Sequence, residues 1–212
     1  MKYRIGPPAE LLKEIGQVMV NYSECERSIH DIFRAVMSLD ESQMYLLVAK
    51  ANLNTEKMIP VIKAELHRIR PANLHESVLQ GLADFTKSIP KRNAVAHWQW
   101  AVTEGREGFA TNSLKVKPGF APEDRQYTLN DLQRIAWEIA RSAILLGNAS
   151  MAMGFVSRRS LGGLNWSGDR YNFDSDFQAM GIQYALDRAQ SFISDYESEH
   201  FPPEYSPSSR TS

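Results

Sequence analysis

The sequence predicts a mainly α protein: an up-and-down bundle of four to five long helices, with a small β-hairpin or irregular excursion after the third. Three observations carry that prediction. From residue 9 to about residue 38, apolar side chains recur at the four-three spacing of a single helix face. Later segments repeat this period and are separated by short joins, as antiparallel neighbours in a bundle require. Only between about residues 98 and 127 does the period fall to two, in a stretch punctuated by glycine and proline.

Composition bounds the rest. At 212 residues, with 43% hydrophobic and 23% charged residues, the chain is long enough to bury a substantial core and ordinary enough to be a soluble globular protein. A formal net charge of −1 argues against a surface that coats nucleic acid, while leaving room for a local basic patch. The single cysteine, Cys25, excludes an internal disulfide and cysteine-rich zinc sites, and it falls on an apolar helical stripe, where a buried structural role is expected. No apolar run approaches the roughly 20 residues of a membrane span. Residues 1–8 lack the apolar stretch of a signal peptide, so a cytoplasmic location is expected.

In the first helix, about 9–38, Leu11, Val18, Cys25, Ile32 and Leu39 recur every seven residues, and Ile15, Tyr22, Ile29 and Val36 form a second set offset by four. Asp40 is placed to cap the next segment. Residues 41–70 read as helical, with Leu46, Ala49, Leu53, Ile59, Ile62, Leu66 and Ile69 as the apolar side. Pro60 removes a backbone donor there, which predicts a kink or break near 52–60. Asn73 can cap a third helix striped by Leu74, Val78, Leu82, Phe85 and Ile89. At Pro90 either that helix kinks or a new one starts with Ser88 as its cap. A new start would set Lys91 and Arg92 near the positive end of a helix dipole.

Past residue 97, Trp98-Gln-Trp-Ala-Val-Thr alternates like a strand, and Lys115 to Asp124 reads as a Pro- and Gly-bearing loop. Helix resumes near Leu129, with Thr128 or Asn130 as cap, and Leu132, Ile135, Ile139 and Leu146 on its stripe. The bundle so defined covers residues 9–156. Residues 157–173 read as a basic connector, 174–200 as a last helix docking on the bundle or on a partner, and 201–212 as a disordered tail. The sequence has no internal repeat, no glycine-rich phosphate loop and no histidine–carboxylate cluster of metal-binding type, so neither metal nor cofactor is expected.

Chemistry concentrates in Lys91-Arg-Asn-Ala-Val-Ala-His-Trp98. Arginine presents a permanently charged fork of donors suited to phosphate. Histidine titrates near neutrality and can carry a proton, and asparagine can orient it. The set Arg92, Asn93 and His97 suits metal-free cleavage of an RNA phosphodiester, with the 2′-hydroxyl as nucleophile, His97 as proton carrier and Arg92 stabilising charge on the phosphate. On a helix Asn93 and His97 share a face, whereas Arg92 and His97 stand about 140° apart. A short side chain at 92 could not span that angle, but arginine is long enough to swing round. A second copy of the helix across a two-fold axis could supply what one copy lacks, so the spacing hints at a site made at a dimer seam. Lys87 and Lys91 add local positive charge, and Trp98 and Trp100 offer rings on which bases could stack, although tryptophans beside an apolar helix are more often core.

This segment resembles the active-site motif of the HEPN superfamily, an arginine followed by a polar residue and then a histidine after four to six intervening residues. Arg92 matches the arginine, Asn93 the polar residue and His97 the histidine, with four residues between. The pairs Arg70–His75 and Arg68–His75 have similar spacing but enclose Pro71 and lack the polar residue. The resemblance covers about residues 9–156. It implies a helical fold with the motif on the third helix, a homodimer, and a metal-independent endoribonuclease acting as a toxin or antiviral factor. A nucleotidyltransferase-like antitoxin is the partner expected of a toxin. The competing expectation is a helical module of the same fold that holds partners without catalysis.

Overall fold

Where the apolar period is longest the backbone is helical without interruption, and the secondary structure of the computed structural model follows from that. It describes residues 6–68, 73–100, 108–112, 121–162 and 175–201. Among these, six α-helices and three short strands run in the order α1 (Ala9–Met37), α2 (Glu41–Ala49), α3 (Thr55–Glu65), α4 (Asn73–His97), β1 (Gln99–Trp100), β2 (Phe109–Thr111), β3 (Asp124–Gln126), α5 (Leu129–Gly162) and α6 (Ser175–His200), with a 3₁₀ turn at Leu66–Arg68. The protein is therefore mainly helical, with a small sheet after its fourth helix. Among the described residues no helix is long and apolar enough to cross a membrane.

The segment read as helical over 41–70, with a kink or break near 52–60, is broken between Ala49 and Thr55, so the break is present and lies before the proline. Asp40 caps α2 reciprocally with Gln43: its Oδ1 accepts from the Gln43 backbone N–H at 2.7 Å, while its own N–H donates to Gln43 Oε1 at 2.9 Å. Helix α2 stops at Ala49, Asn52 takes a left-handed φ of 53°, and Asn54 restarts the chain by accepting from the Lys57 N–H at 3.1 Å. Asparagine tolerates that φ and caps well, so the two asparagines terminate and initiate without help from Pro60. Pro60 lies inside α3 on its exposed side.

Pro90 likewise lies inside α4, which runs unbroken to His97. Ser88 is buried, and its hydroxyl donates backwards to the Phe85 carbonyl at 2.7 Å instead of capping a new helix. Of the two alternatives at Pro90, the new start capped by Ser88 is therefore ruled out. Lys91 and Arg92 occupy the closing turns of α4, where the dipole presents its negative end.

Contacts divide the chain into two compact units, residues 1–28 with 80–143 and residues 29–79 with 144–212, so α1, α4 and α5 contribute to both. In the second unit Ile29, Ile32, Met58, Ile62, Leu74, Val78 and Leu146 are fully buried, and α6 buries Leu186, Ala189 and Ile193. Helix α5 extends to Gly162, taking the first residues of the stretch read as a connector. The rest of that connector, residues 163–173, the first residue read into the last helix, 174, and the tail from residue 202 lie outside the described residues.

The first unit carries the motif. Its core joins Val18, Tyr22 and Cys25 of α1 to Leu82, Phe85, Ala94 and Val95 of α4 and to Leu132, Ile135, Ala136 and Ile139 of α5. Two α1 side chains satisfy α5 carbonyls: Asn21 Nδ2 donates to Ala136 O at 2.8 Å, and the Cys25 thiol to Ile139 O at 3.4 Å. Thr128 and Asp131 start α5 with a reciprocal cap, the Asp131 N–H donating to the Thr128 hydroxyl oxygen at 3.1 Å and Asp131 Oδ2 accepting from the Thr128 N–H at 2.9 Å.

The excursion is a three-stranded antiparallel sheet in the order β1-β2-β3, with Trp100 opposite Ala110 and Ala110 opposite Arg125. Gly108 fixes its register. At φ +83° it accepts from the Tyr127 N–H at 2.7 Å, and a Cβ at this position would collide with the Tyr127 carbonyl.

Candidate functional site

The last two turns of α4 have one apolar and one polar side, and their spacing decides which residue goes where. Ala94 and Val95 are buried, whereas Asn93 and His97, four apart, are exposed on a common face. Arg92 is half-buried between these faces. Its guanidinium turns over the ring of Tyr22 on α1, with 4.2 Å from Cζ to the ring centroid. Tyr22 in turn rests on Phe85 at a centroid separation of 4.9 Å. An aromatic face attracts a guanidinium by about 0.5–2 kcal/mol depending on desolvation, so this stack fixes where Arg92 can reach.

From that seat Arg92 Nη1 donates to Asn93 Oδ1 at 3.0 Å and lies 3.4 Å from His97 Nε2. The three motif side chains are thus brought together within one chain. The 140° separation does not keep Arg92 from His97, because the arginine side chain is long enough to curl around the helix. Since guanidinium only donates, the 3.4 Å contact is a hydrogen bond only when Nε2 is unprotonated and the ring proton sits on Nδ1. An imidazole in that tautomer can take a proton at Nε2. Arg92 Nε is buried without a hydrogen-bond partner, a cost partly offset by the Tyr22 ring.

The four residues expected to hold RNA divide differently. Lys91 forms an ion pair with Glu138 of α5, so its charge is already engaged. Lys87, with 77% of its side chain exposed, keeps only a loose 3.8 Å approach to Asp84. Trp100 donates its indole N–H to the Val95 carbonyl at 3.1 Å and packs on Tyr127 with centroids 5.4 Å apart, which commits it to the β1–α4 packing. Trp98 is half-buried, and the guanidinium of Arg125 stands 5.7 Å from its ring centroid.

An open cleft of about 280 Å³ adjoins the motif segment without including the trio. It is lined by Lys91, Arg125, Gln126, Tyr127, Asp131, Arg134, Ile135 and Glu138. Burial raises the Tyr127 phenol above its ordinary value, with Arg125 opposing that shift. The buried thiol of Cys25 is pushed up to about 12, chiefly by desolvation and further by Glu26 and Glu24, which leaves it inert at neutral pH. Among the described residues no three His, Cys, Asp or Glu side chains are grouped closely enough to hold a metal ion.

Sequence reasoning missed Tyr22, Arg125 and Arg134. Tyr22 did carry a signal, as the one aromatic on an otherwise aliphatic stripe. The two arginines carried none, standing 33 and 42 residues beyond Arg92 with no periodic relation to it.

Comparison with protein-family models, with curated proteins and with solved structures finds no match to this chain.

Proposed function

We propose that the protein is a metal-independent endoribonuclease whose active residues are Arg92, Asn93 and His97, the reading that the HEPN-like motif suggests. The observation that carries it is the convergence of the three side chains, with Arg92 Nη1 at 3.4 Å from His97 Nε2 and 3.0 Å from Asn93 Oδ1. When RNA binds, Arg92 Nη1 turns from His97 Nε2 to the phosphate, and the freed Nε2 lone pair accepts the proton of an RNA 2′-hydroxyl. The 2′-oxygen attacks the adjacent phosphorus and the P–O5′ bond breaks, giving a 2′,3′-cyclic phosphate and a 5′-hydroxyl. Arg92 donates to the non-bridging oxygens as negative charge builds there. Asn93 shares the exposed face with His97 and helps hold Arg92 in place.

The departing 5′-oxygen needs a proton that the base in the same turnover does not supply. A second copy of His97, presented by a homodimer, would provide it. The physiological role that goes with the motif is that of a toxin or antiviral factor, with a nucleotidyltransferase-like antitoxin as partner for a toxin.

The test is incubation of the purified protein and its His97→Ala form with single-stranded and structured RNA in excess EDTA, followed by analysis of product ends. Cleavage by the unsubstituted chain alone, leaving 2′,3′-cyclic phosphates, is the expected result. A folded protein that cuts none of these RNAs sinks the catalytic reading. It would favour the second one, a non-catalytic helical module, for which the seating of Arg92 on Tyr22 is the supporting observation.

A further inference from the structure

The cleft between β3 and the start of α5 has an uneven charge balance. Five of its lining side chains carry charge at neutral pH: Lys91, Arg125, Arg134, Asp131 and Glu138. Both carboxylates are occupied: Glu138 by Lys91, and Asp131 by the Thr128 N–H and hydroxyl at 2.9 and 2.7 Å. The two arginines have no carboxylate at ion-pair distance among the described residues. Two guanidiniums facing one concave surface repel each other unless an anion lies between them. The Tyr127 side chain on the same wall is almost wholly buried, with the Arg125 guanidinium close enough to act on its hydroxyl.

The cleft also continues the motif segment. Lys91, on its rim, directly precedes Arg92, and Arg125 stands over Trp98, which directly follows His97. A strand leaving the trio past Trp98 meets Arg125 next.

We infer that this cleft is a backbone-phosphate subsite for single-stranded RNA, with Arg125 and Arg134 holding phosphate oxygens beside the scissile position. The inference rests on the RNA-cleaving reading of Arg92, Asn93 and His97, and it adds where the flanking strand is held. Guanidinium forks match phosphate oxygens in pairs, which gives the subsite affinity without base preference.

The experiment uses the full-length His97→Ala chain, so that binding is read without cleavage. A fluorescein-labelled single-stranded RNA of about 12 nucleotides is titrated by anisotropy in EDTA at roughly 50–200 mM salt. Each arginine that meets one phosphate contributes about 0.7 to the slope of log affinity against log salt on a single strand. Arg134→Gln and Arg125→Gln are therefore each expected to lower that slope by about 0.7 and to weaken binding about 3- to 10-fold at the low-salt end. Lys63→Gln, which removes the same charge from exposed α3, should change affinity by less than about twofold. Arg125 touches Trp98, so if its variant melts early, Arg134→Gln carries the test.

Arginine variants no weaker than Lys63→Gln overturn the subsite, as does failure of the His97→Ala chain to bind this RNA at low salt. The cleavage assay on the unsubstituted chain judges the catalytic reading separately. Cleavage with unaltered arginine-variant binding removes only the cleft, and arginine-dependent binding without cleavage removes only the catalysis.

Discussion

Cys25 and His97 belong to the same unit, and each is of a chemical type that can attack or take a proton, yet the fold treats them in opposite ways. Cys25 is wholly buried, its thiol turned onto the Ile139 carbonyl and its ionisation deferred to about 12. His97 is exposed at the last residue of α4, with a guanidinium 3.4 Å from one ring nitrogen. Three packed helices leave no room for chemistry around Cys25, whereas the end of a helix cannot be covered from all sides. Reactivity follows coverage here more than residue type.

The contrast is sharpened first by the substitutions with the largest effects, which should fall on different axes. Phe85→Ala, in the packed region, should cost about 3–5 kcal/mol in denaturant unfolding, because it opens a cavity beneath Tyr22. His97→Ala should lower RNA cleavage by about 10²- to 10⁴-fold and change stability by less than about 0.5 kcal/mol. A large stability loss on His97→Ala would break the comparison by making the histidine a packing residue.

The alkaline limb gives the next effect. The Cys25 thiol has its folded value raised from 9.0 to about 12, so its contribution is fully present below pH 9.0 and is lost as pH climbs toward 12. Between about pH 8 and about pH 10.5 the native chain should lose on the order of 2 kcal/mol more than Cys25→Ala. Parallel pH dependences for the two chains would show that the thiol is hydrated after all.

Arg92 stands between the two regions and should show both behaviours. Arg92→Ala should abolish cleavage and also cost about 1 kcal/mol of stability through the Tyr22 face, rather than leaving stability unchanged as the motif alone suggests. Unfolding midpoints of Arg92→Ala and of Arg92→Ala in a Tyr22→Leu background isolate the pair by a double-mutant cycle. The smallest effect is expected at Thr128→Ala, about 1 kcal/mol, from loss of the α5 cap and measurable by thermal melting.

Much of this architecture was legible because α1 repeats its spacing over four turns and more, so that Leu11, Val18, Cys25 and Ile32 could only face one way. The cap at Asp40 was legible because capping is local chemistry, and for the same reason the cap of α5 could be narrowed to Thr128 or Asn130, of which Thr128 is the one used. The break expected near 52–60 is present, but Pro60 does not make it: Pro60 and Pro90 each remove one donor, which a helix held by buried neighbours such as Met58 and Ile62, or Phe85 and Val95, absorbs. The break before α3 was written instead in Asn52 and Asn54.

In the site, the identity of Arg92, Asn93 and His97 could be read from their order in the chain, but their meeting could not. The arginine's length allowed it, but the seat that aims Arg92 is a tyrosine contributed by another helix. The cleft was illegible for the same reason in stronger form. Arg125 and Arg134 become neighbours of Lys91 only once the sheet and α5 are in place.

Gly108 gives this a consequence over evolutionary time. Because any side chain there meets the Tyr127 carbonyl, a substitution would lift β3 from β2 and carry Arg125 and Tyr127 away from α4. Surface positions around it can drift, but lineages that keep the cleft should keep glycine at 108, and those that lose the glycine should lose Arg125 as well. A residue with no side chain would then serve as the marker by which descendants that retain the site are told from those that have abandoned it.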